Sequence, residues 1–284
     1  MKRILAISGG VDSMVMLDLF AQKVPRFELV IAHFDHGVRK NSKEDADFVR
    51  RRAEEYGIGI VVGRGELGEN ASEEKARTAR YNFLKRVAAE KDGEIYTAHH
   101  LDDLVGSVAI NLIRGTGWRG LAAMNAAGIR RPFLNNYLGL GFKKPPAKKD
   151  LLRYAGEHNL RFREDQSNSS DEYLRNRLYH QVNNFDEKME VFELRLKQIK
   201  LRNEIETLIA EILPREEWQR DWFKEMPGEV ALEMLRAGLL KKGIKATRPQ
   251  LRDFLKAIRE YTSGKYFNLP NDKLVRINRD GFSI

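Results

Sequence analysis

An apolar run, a Gly-Gly turn and a second apolar stretch open the chain, and this combination constrains its fold more than any other feature. Residues 4–7 are short enough for a buried strand, and residues 14–20 are typical of a helix that packs on a sheet. The turn between them is Ser8-Gly9-Gly10-Val11-Asp12-Ser13. Its glycines let the backbone approach an anion closely, and a helix N-terminus adds about half a positive charge. The sequence therefore predicts a phosphate-binding turn at the start of a helix.

The side chains of this turn indicate which kind of phosphate it binds. Ser8 and Ser13 add hydroxyl donors, and Asp12 places a carboxylate where a metal–phosphate complex would lie. The Gly-Lys-Ser/Thr ending of a Walker A loop is missing, which excludes that class of nucleotide-binding loop. Ordinary strand-to-helix turns also carry glycine and serine, so a purely structural turn stays open on these residues alone.

Strands and helices are predicted to alternate through the first half of the chain. The predicted strands after the first are residues 27–34, 58–62 and 95–98, and the predicted helices between them are residues 42–56 and 72–84. Such alternation is typical of an α/β fold with a doubly wound, mostly parallel sheet. Ligands bind such sheets at the carboxyl ends of the strands. Three polar clusters follow strand ends and are expected to converge on one crevice: residues 8–13, 33–39 and 99–103.

The second half of the chain predicts a connector and a smaller domain. A length of 284 residues favours two domains over one compact core. We expect a catalytic domain at residues 1–184, a long connecting helix at 185–213 and a small, mainly helical C-terminal domain at 214–284. Within the last, residues 267–269 and 274–277 predict two strands around a Pro-Asn-Asp turn.

Charge and composition narrow the partners and the chemistry. The 50 Lys and Arg residues against 41 Asp and Glu give a net charge of +9, which favours an anionic partner such as RNA. A basic protein with no nucleic-acid function stays open on charge alone. The absence of cysteine excludes disulfides, thiolate zinc sites, iron–sulfur clusters and cysteine nucleophiles. No stretch has the roughly 20 apolar residues of a membrane span, and no signal pattern opens the chain. We expect a cytoplasmic protein with no membrane partner.

Acidic and imidazole side chains follow the predicted strands. Asp102 and Asp103 begin a predicted helix, where acids often complement the helix dipole; with Asp12 they would instead hold Mg²⁺ on nucleotide phosphates. His33 lies at the end of one predicted strand and His99 follows another, and each is either a buried hydrogen-bonding side chain or a ligand contact. The neighbouring histidine at position 100 points in another direction from the strand end, which disfavours a shared zinc ion.

Two basic segments complete the candidate residues. Arg77 and Arg80 are three residues apart on one helix face, which is either solvated or contacts phosphate or carboxylate groups. Arg114 and Gly115 begin a glycine-rich loop in which Trp118 is available to stack on a base. A surface loop without function is the alternative for this segment.

Together these segments resemble the PP-loop ATP pyrophosphatase superfamily and, within it, the tRNA(Ile)-lysidine synthetases. The resemblance covers roughly the first 180 residues. It rests on the 8–13 turn, HFDHGVR at 33–39, ARTARYNFL at 76–84, TAHHLDD at 97–103, the loop at 114–121 and RPFL at 131–134, with EDQSN at 164–168 and RNR at 175–177.

The resemblance implies a reaction and its participants. Enzymes of this family adenylate C2 of the first anticodon cytidine of tRNA(Ile), whose anticodon is CAU, with ATP and Mg²⁺, and release pyrophosphate. The amine of L-lysine then attacks that carbon and AMP leaves. The family also implies a homodimer, and it implies a C-terminal domain that contacts the tRNA.

By the same resemblance, individual residues take roles. Ser8, Gly9, Gly10 and Ser13 would bind the phosphates of ATP, and Asp12 and Asp102 would hold Mg²⁺. Asp103 would lie near the amine, and Arg77 and Arg80 would steady the nucleotide or the cytidine. The remaining residues assigned to nucleotide binding are His33, His99, Arg114 and Gly115.

Two features depart from the family pattern. Gly106 and Ser107 stand where these synthetases carry the Glu-Thr pair whose carboxylate contributes to lysine recognition, and residues 135–146 look inserted or altered. Either another acid substitutes, or the nucleophile differs, or the chain no longer modifies tRNA. A different PP-loop ligase or thiolase and a non-catalytic RNA-binding protein therefore stay open. The absence of cysteine disfavours thiolases that carry sulfur on cysteine or on a cluster.

Overall fold

The structure, a computed structural model, describes residues 1–35, 42–65, 73–163, 184–213 and 217–283. It divides into two compact units, Met1–Arg195 and Leu196–Ile284. The boundary falls inside one continuous helix, Phe185–Ile212, which coincides closely with the predicted connecting helix. The division of the chain at 184 and 213 stays a prediction. The 36–39, 164–168 and 175–177 segments of the family resemblance lie outside the described residues.

A parallel sheet forms the centre of the first unit. Its strands are β1 (Lys2–Ala6), β2 (Leu29–Asp35), β3 (Gly59–Arg64), β4 (Gly93–Tyr96) and β5 (Ile129–Arg130), in the order β3-β2-β1-β4-β5 and parallel throughout. This confirms the predicted doubly wound sheet. Chain order reverses at β1, because β2 and β3 lie on one side of it and β4 and β5 on the other. Such a switch point opens a crevice at the strand ends.

Helices cover both faces of this sheet. The described helices that lie wholly within this unit are α1 (Val11–Lys23), α2 (Ser42–Tyr56), α3 (Glu73–Glu90), α4 (Leu101–Ile113), α5 (Pro132–Asn135) and α6 (Lys148–Glu157), and α7 (Phe185–Ile212) begins in this unit and continues into the second. Side chains of successive strand residues point to opposite faces, so Leu5 packs with α1, α2 and α6, whereas Ile4 packs with α3. The 135–146 segment, predicted to depart from the family pattern, also contributes to the core, since Leu140 is buried in the same cluster as Phe133.

In its described residues, the second unit combines the C-terminal part of α7 and three further helices with an antiparallel sheet. The helices are α8 (Arg220–Glu225), α9 (Gly228–Lys241) and α10 (Arg248–Glu260), and the strands are β6 (Glu217–Gln219), β7 (Lys265–Leu269), β8 (Lys273–Ile277) and β9 (Gly281–Ser283). The sheet order is β6-β9-β8-β7. The predicted hairpin is confirmed as β7 and β8, with Asn271 and Asp272 at positive φ in its turn. Among the described residues, no helix has both the length and the apolarity to cross a bilayer.

A buried carboxylate joins three helices of the first unit. Asp18 of α1 accepts hydrogen bonds from the Tyr56 hydroxyl at 2.8 Å, the Tyr154 hydroxyl at 2.7 Å and the Gln22 amide at 2.7 Å. Burial and the adjacent Asp18 carboxylate raise the pKa of Tyr154 to about 12. The phenol therefore stays protonated and donates across the physiological range.

Replacement of Asp18 by alanine is expected to lower the free energy of unfolding by about 2–4 kcal/mol, because three donors lose their acceptor inside the packed helices. The matched variant Asp18→Asn keeps one acceptor oxygen and should lose about half as much. Urea denaturation at neutral pH measures both. A loss below about 1 kcal/mol for Asp18→Ala would contradict this account of the helix packing.

Candidate active site

The turn after β1 has the geometry of an anion site. Gly9 has φ of +95°, a conformation that disfavours any residue with a Cβ atom, and Gly10 immediately precedes α1. The Ser13 hydroxyl donates to the Gly10 carbonyl at 2.9 Å and accepts the Ser8 amide at 3.2 Å. Gly10 has no side chain to cap the helix, so no side-chain cap occupies the first amides of α1. These amides are the groups that bind phosphate at helix N-termini.

A distant segment holds this turn in place. The Arg163 amide donates to the Gly9 carbonyl at 2.9 Å. The guanidinium of the same residue pairs with Asp45 at 2.9 Å and with Glu44 at 3.1 Å, both in the first turn of α2. Arg163 therefore connects the phosphate-binding turn to the start of a second helix.

Asp12 lies in the first turn of α1 and faces a lysine from α6. The Lys148 ammonium group donates to both Asp12 carboxylate oxygens, at 2.8 Å each. About a third of each side chain is exposed, 31% for Lys148 and 30% for Asp12. The Nε2 atom of His100 is 3.8 Å from the Asp12 Oδ1 atom. Asp12 is thus an accessible carboxylate at the phosphate-binding turn, as its predicted role requires.

Asp102 is more deeply enclosed. Only 3% of its side chain is exposed; Oδ1 accepts from the Lys188 ammonium group at 2.5 Å and Oδ2 from the Lys148 amide at 2.6 Å. Burial alone would raise the pKa of Asp102, but the hydrogen bonds and the neighbouring His100 hold that pKa well below its usual range. Asp102 is therefore ionised, with both oxygens already hydrogen-bonded.

Asp103 and His100 complete the acidic end of the crevice. The Asp103 Oδ2 atom accepts the His100 amide at 3.0 Å, which caps α4, and lies 3.5 Å from His100 Nε2. About a third of the Asp103 side chain is exposed, whereas His100 is buried. Burial opposes a charge on the imidazole, but Asp103, Asp102 and Asp12 together raise the pKa of His100. The three carboxylates therefore favour a positive charge on this imidazole.

These residues fit one Mg²⁺ ion that is shared with a nucleotide. No group of three or more metal-ligating side chains occurs within the described part of the chain. Mg²⁺ usually binds nucleotides through one or two carboxylates plus the phosphates. Asp12 suits that role because it is accessible. Asp102 would have to give up a hydrogen bond from Lys188 or Lys148, and its predicted metal role stays a prediction.

The end of β4 also approaches the basic residues of α3. His99 Nδ1 lies 2.8 Å from the Thr97 hydroxyl. Burial lowers the pKa of His99 to about 4, although the Asp103 carboxylate opposes this shift. The positive charges of Arg131, Arg80 and Arg77 lower that pKa further. His99 is therefore neutral, and the three arginines are close enough to influence it. The positive charges of Arg77 and Arg80 therefore act on the end of β4.

Three predicted residues are placed differently. His33 is buried at the β1–β2 junction, where Nδ1 bonds the Ile7 carbonyl at 2.8 Å and burial lowers its pKa. Arg114 and Gly115 follow the C-terminal end of α4, about 18 Å along the helix from Asp102. Their predicted contacts with the nucleotide stay predictions.

Sequence reasoning missed Lys148 and Lys188. Lys148 belongs to the run Lys143-Lys144-Pro145-Pro146-Ala147-Lys148-Lys149, which indicates a basic connector. The available signal was the position of Lys148 as the first residue of a helix after two prolines. No local feature of the long connecting helix distinguished Lys188.

The fold agrees with the comparisons with known proteins. The PP-loop domain family matches residues 1–185, so the chain belongs to that family. Within the matched region, the chain is 37% identical over 186 residues to the tRNA(Ile)-lysidine synthase of Enterococcus faecalis. It is also 32% identical over 196 residues to the bifunctional protein TilS/HprT of Listeria monocytogenes. These alignments cover 63% and 64% of this chain but only 39% and 29% of the relatives, so the chain spans well under half of their length.

A solved structure supports the fold. The U34-tRNA thiolase NcsA of Methanococcus maripaludis superimposes with a TM-score of 0.54, at 20% identity, over 70% of this chain and 72% of that one. At this identity, the likeness concerns the fold alone.

Proposed function

We propose that this protein is an ATP-dependent ligase that converts the first anticodon cytidine of tRNA(Ile) to lysidine. The observation that carries the proposal is the crevice itself. It joins the uncapped start of α1 to the accessible carboxylates of Asp12 and Asp103, with Arg77 and Arg80 nearby. The similarity to proteins named tRNA(Ile)-lysidine synthase selects the reaction among those that such a crevice can support.

In the first step, ATP activates the cytidine. The amides of the turn and the Ser13 hydroxyl bind the phosphates, and the cytidine O2 atom attacks the α-phosphorus as its bond to pyrophosphate breaks. Mg²⁺, held by Asp12, would offset the charge of the departing pyrophosphate. Arg77 and Arg80 contribute positive charge near the adenylate and position the RNA.

In the second step, an amine displaces AMP. The amine nitrogen of lysine forms a bond to C2, and the bond between C2 and O2 breaks, so the former cytidine oxygen leaves with AMP. Asp103 has an exposed carboxylate at the start of α4 and would orient the incoming amine. The neutral His99 next to it would accept a hydrogen bond or a proton from the same group.

A nucleophile other than lysine is the alternative for the second step. Gly106 is buried in α4, three residues after Asp103 and therefore on the same side of the helix. A glycine there contributes no carboxylate for a second ammonium group. This observation favours, as the second candidate, a PP-loop ligase that joins a different nucleophile to RNA.

Incubation with ATP, Mg²⁺, labelled lysine and a CAU-anticodon tRNA(Ile) transcript tests the proposal. The matched control is the same transcript with uridine at the first anticodon position. We expect lysine incorporation with equal amounts of AMP and pyrophosphate, and none with the control. Pyrophosphate release without lysine incorporation would support the second candidate. No turnover with either transcript would contradict both and favour a non-catalytic RNA-binding protein.

The proposed function also implies a cellular compartment, a tRNA-binding domain and an oligomeric state. A tRNA substrate together with ATP and lysine is consistent with a cytoplasmic enzyme. The second unit would contact the tRNA, and the homodimer that the family resemblance implies is part of the same proposal.

A further inference from the structure

Two lysines form ion pairs with the carboxylates of the crevice, and the two ion pairs differ in their exposure to solvent. Lys188 pairs with Asp102 in a nearly closed environment, where 12% and 3% of the two side chains are exposed. Lys148 pairs with Asp12 at the mouth of the site, where about a third of each side chain is exposed. A buried ion pair is costly to break, whereas an accessible pair exchanges with solvent and ligands. The Lys148–Asp12 pair is therefore the exchangeable one.

The base of Lys148 is fixed although its ammonium group is not. Its backbone amide donates to Asp102 at 2.6 Å, and the Leu101 amide donates to the Pro146 carbonyl at 3.0 Å. These bonds hold the start of α6 against the start of α4. The lysine side chain is a flexible stem with a point charge at its tip. Its charge can therefore move within the site while its backbone stays in place.

The phosphate-binding turn lacks a cation of its own. In P-loop proteins, a lysine inside the loop reaches the β- and γ-phosphates. The turn at residues 8–13 contains no lysine or arginine, and Lys148 reaches it from 136 residues further along the chain. Its ammonium group lies 2.8 Å from a carboxylate in the first turn of α1, so it is beside the amides that bind the phosphates.

We propose that Lys148 is a phosphate-binding residue. Its ammonium group neutralises Asp12 while nucleotide is absent and moves to contact the β- or γ-phosphate when MgATP binds. This inference rests on the ATP use proposed above but not on the RNA reaction. Asp12 would then hold the divalent cation in place of the ammonium group. The released ammonium group then faces the phosphates that arrive with the cation.

The test compares Lys148→Met with Lys149→Met, which removes the neighbouring charge of the same basic run. Methionine keeps most of the stem and removes the charge. Binding of MgATP and of AMP is measured by equilibrium dialysis without tRNA or lysine, and Mn²⁺ binding without nucleotide is measured by electron paramagnetic resonance. For Lys148→Met we expect MgATP affinity to fall by about 10- to 100-fold, with AMP affinity unchanged. We also expect tighter Mn²⁺ binding, because Asp12 has lost its counter-ion. Lys149→Met should match the wild type.

Three outcomes would overturn the inference. One is wild-type MgATP affinity in Lys148→Met; another is an equal loss of AMP and MgATP binding, which would indicate a structural role. The third is a wild-type chain that does not bind MgATP, and this result would also remove the proposed function. A wild-type chain that binds MgATP in a Lys148-dependent way but does not modify tRNA would contradict only the proposed function.

Discussion

Replacement of Asp12 by alanine is expected to slow RNA-dependent pyrophosphate release by about 10²- to 10³-fold, a loss typical of removing one preorganised charge-stabilising group. Asp12 is the accessible carboxylate at the phosphate-binding turn, and both its oxygens contact Lys148. Without it, the metal–phosphate complex loses its protein ligand. Lys148 then keeps its charge beside the turn, so we expect the effect in kcat rather than in the affinity for ATP.

The matched variant Asp12→Asn separates charge from shape. Asparagine keeps the size of the side chain but is neutral, so it should be nearly as slow as alanine if Asp12 holds the metal. Asp47→Ala, which removes a surface aspartate that pairs with Arg50, is the control for a general change in charge. Filter binding would give the affinity for RNA, and single-turnover assays would give the rate of pyrophosphate release. We expect the affinity for RNA to stay within about threefold of the wild type. Asp12→Asn activity within about tenfold of the wild type would contradict the metal role.

The second large effect is expected for Arg77→Ala, with a fall of about 100-fold in kcat/KM for tRNA. Arg77 is exposed on α3 and contributes to the positive charge around His99. Its guanidinium lies 5.0 Å from the centre of the Tyr81 ring on the same helix. Removal of the charge should weaken contact with the RNA and with the adenylate, so both kcat and KM should change.

Arg86→Ala provides the control for this prediction. Arg86 lies on the same helix, is well exposed, and contacts the Phe83 ring in a similar way. It lies more than two helical turns from Arg77. Initial rates at varied tRNA concentration would show whether the two variants differ. Equal losses in Arg77→Ala and Arg86→Ala would mean that α3 acts through its overall charge, not through a specific contact.

Much of the fold could be predicted because its main elements carry strong local signals. The longer strands of the first sheet are continuous apolar runs between turns, and the long helices have periodic apolar residues or clear end signals. The strands β5, β6 and β9 have two or three residues each, which is too short to show any periodicity. They form because neighbouring strands offer hydrogen-bond partners, and this depends on tertiary structure.

The candidate site could be predicted only in part, for a similar reason. Asp102 and Asp103 are adjacent in the sequence, but neighbouring helix residues point in different directions, so one is enclosed and the other is accessible. The sequence does not show which of Lys148 and Lys149 reaches Asp12. Only the approach of α6 to α1 selects Lys148 as the partner of Asp12. The residue types in the sequence indicated which chemistry was available. The packing of the helices determines which of two neighbouring aspartates or lysines reaches the site.

The central claim is that ATP activates an RNA base through attack of the cytidine oxygen on the α-phosphorus. It is tested most directly with a CAU-anticodon tRNA whose first anticodon cytidine carries oxygen-18 at C2. After turnover with ATP, Mg²⁺ and lysine, mass spectrometry of the AMP shows where that oxygen has gone. We expect AMP with one oxygen-18 atom, in amounts equal to the modified nucleoside. AMP without the label would mean that water, not the base, attacked ATP, and would contradict the claim.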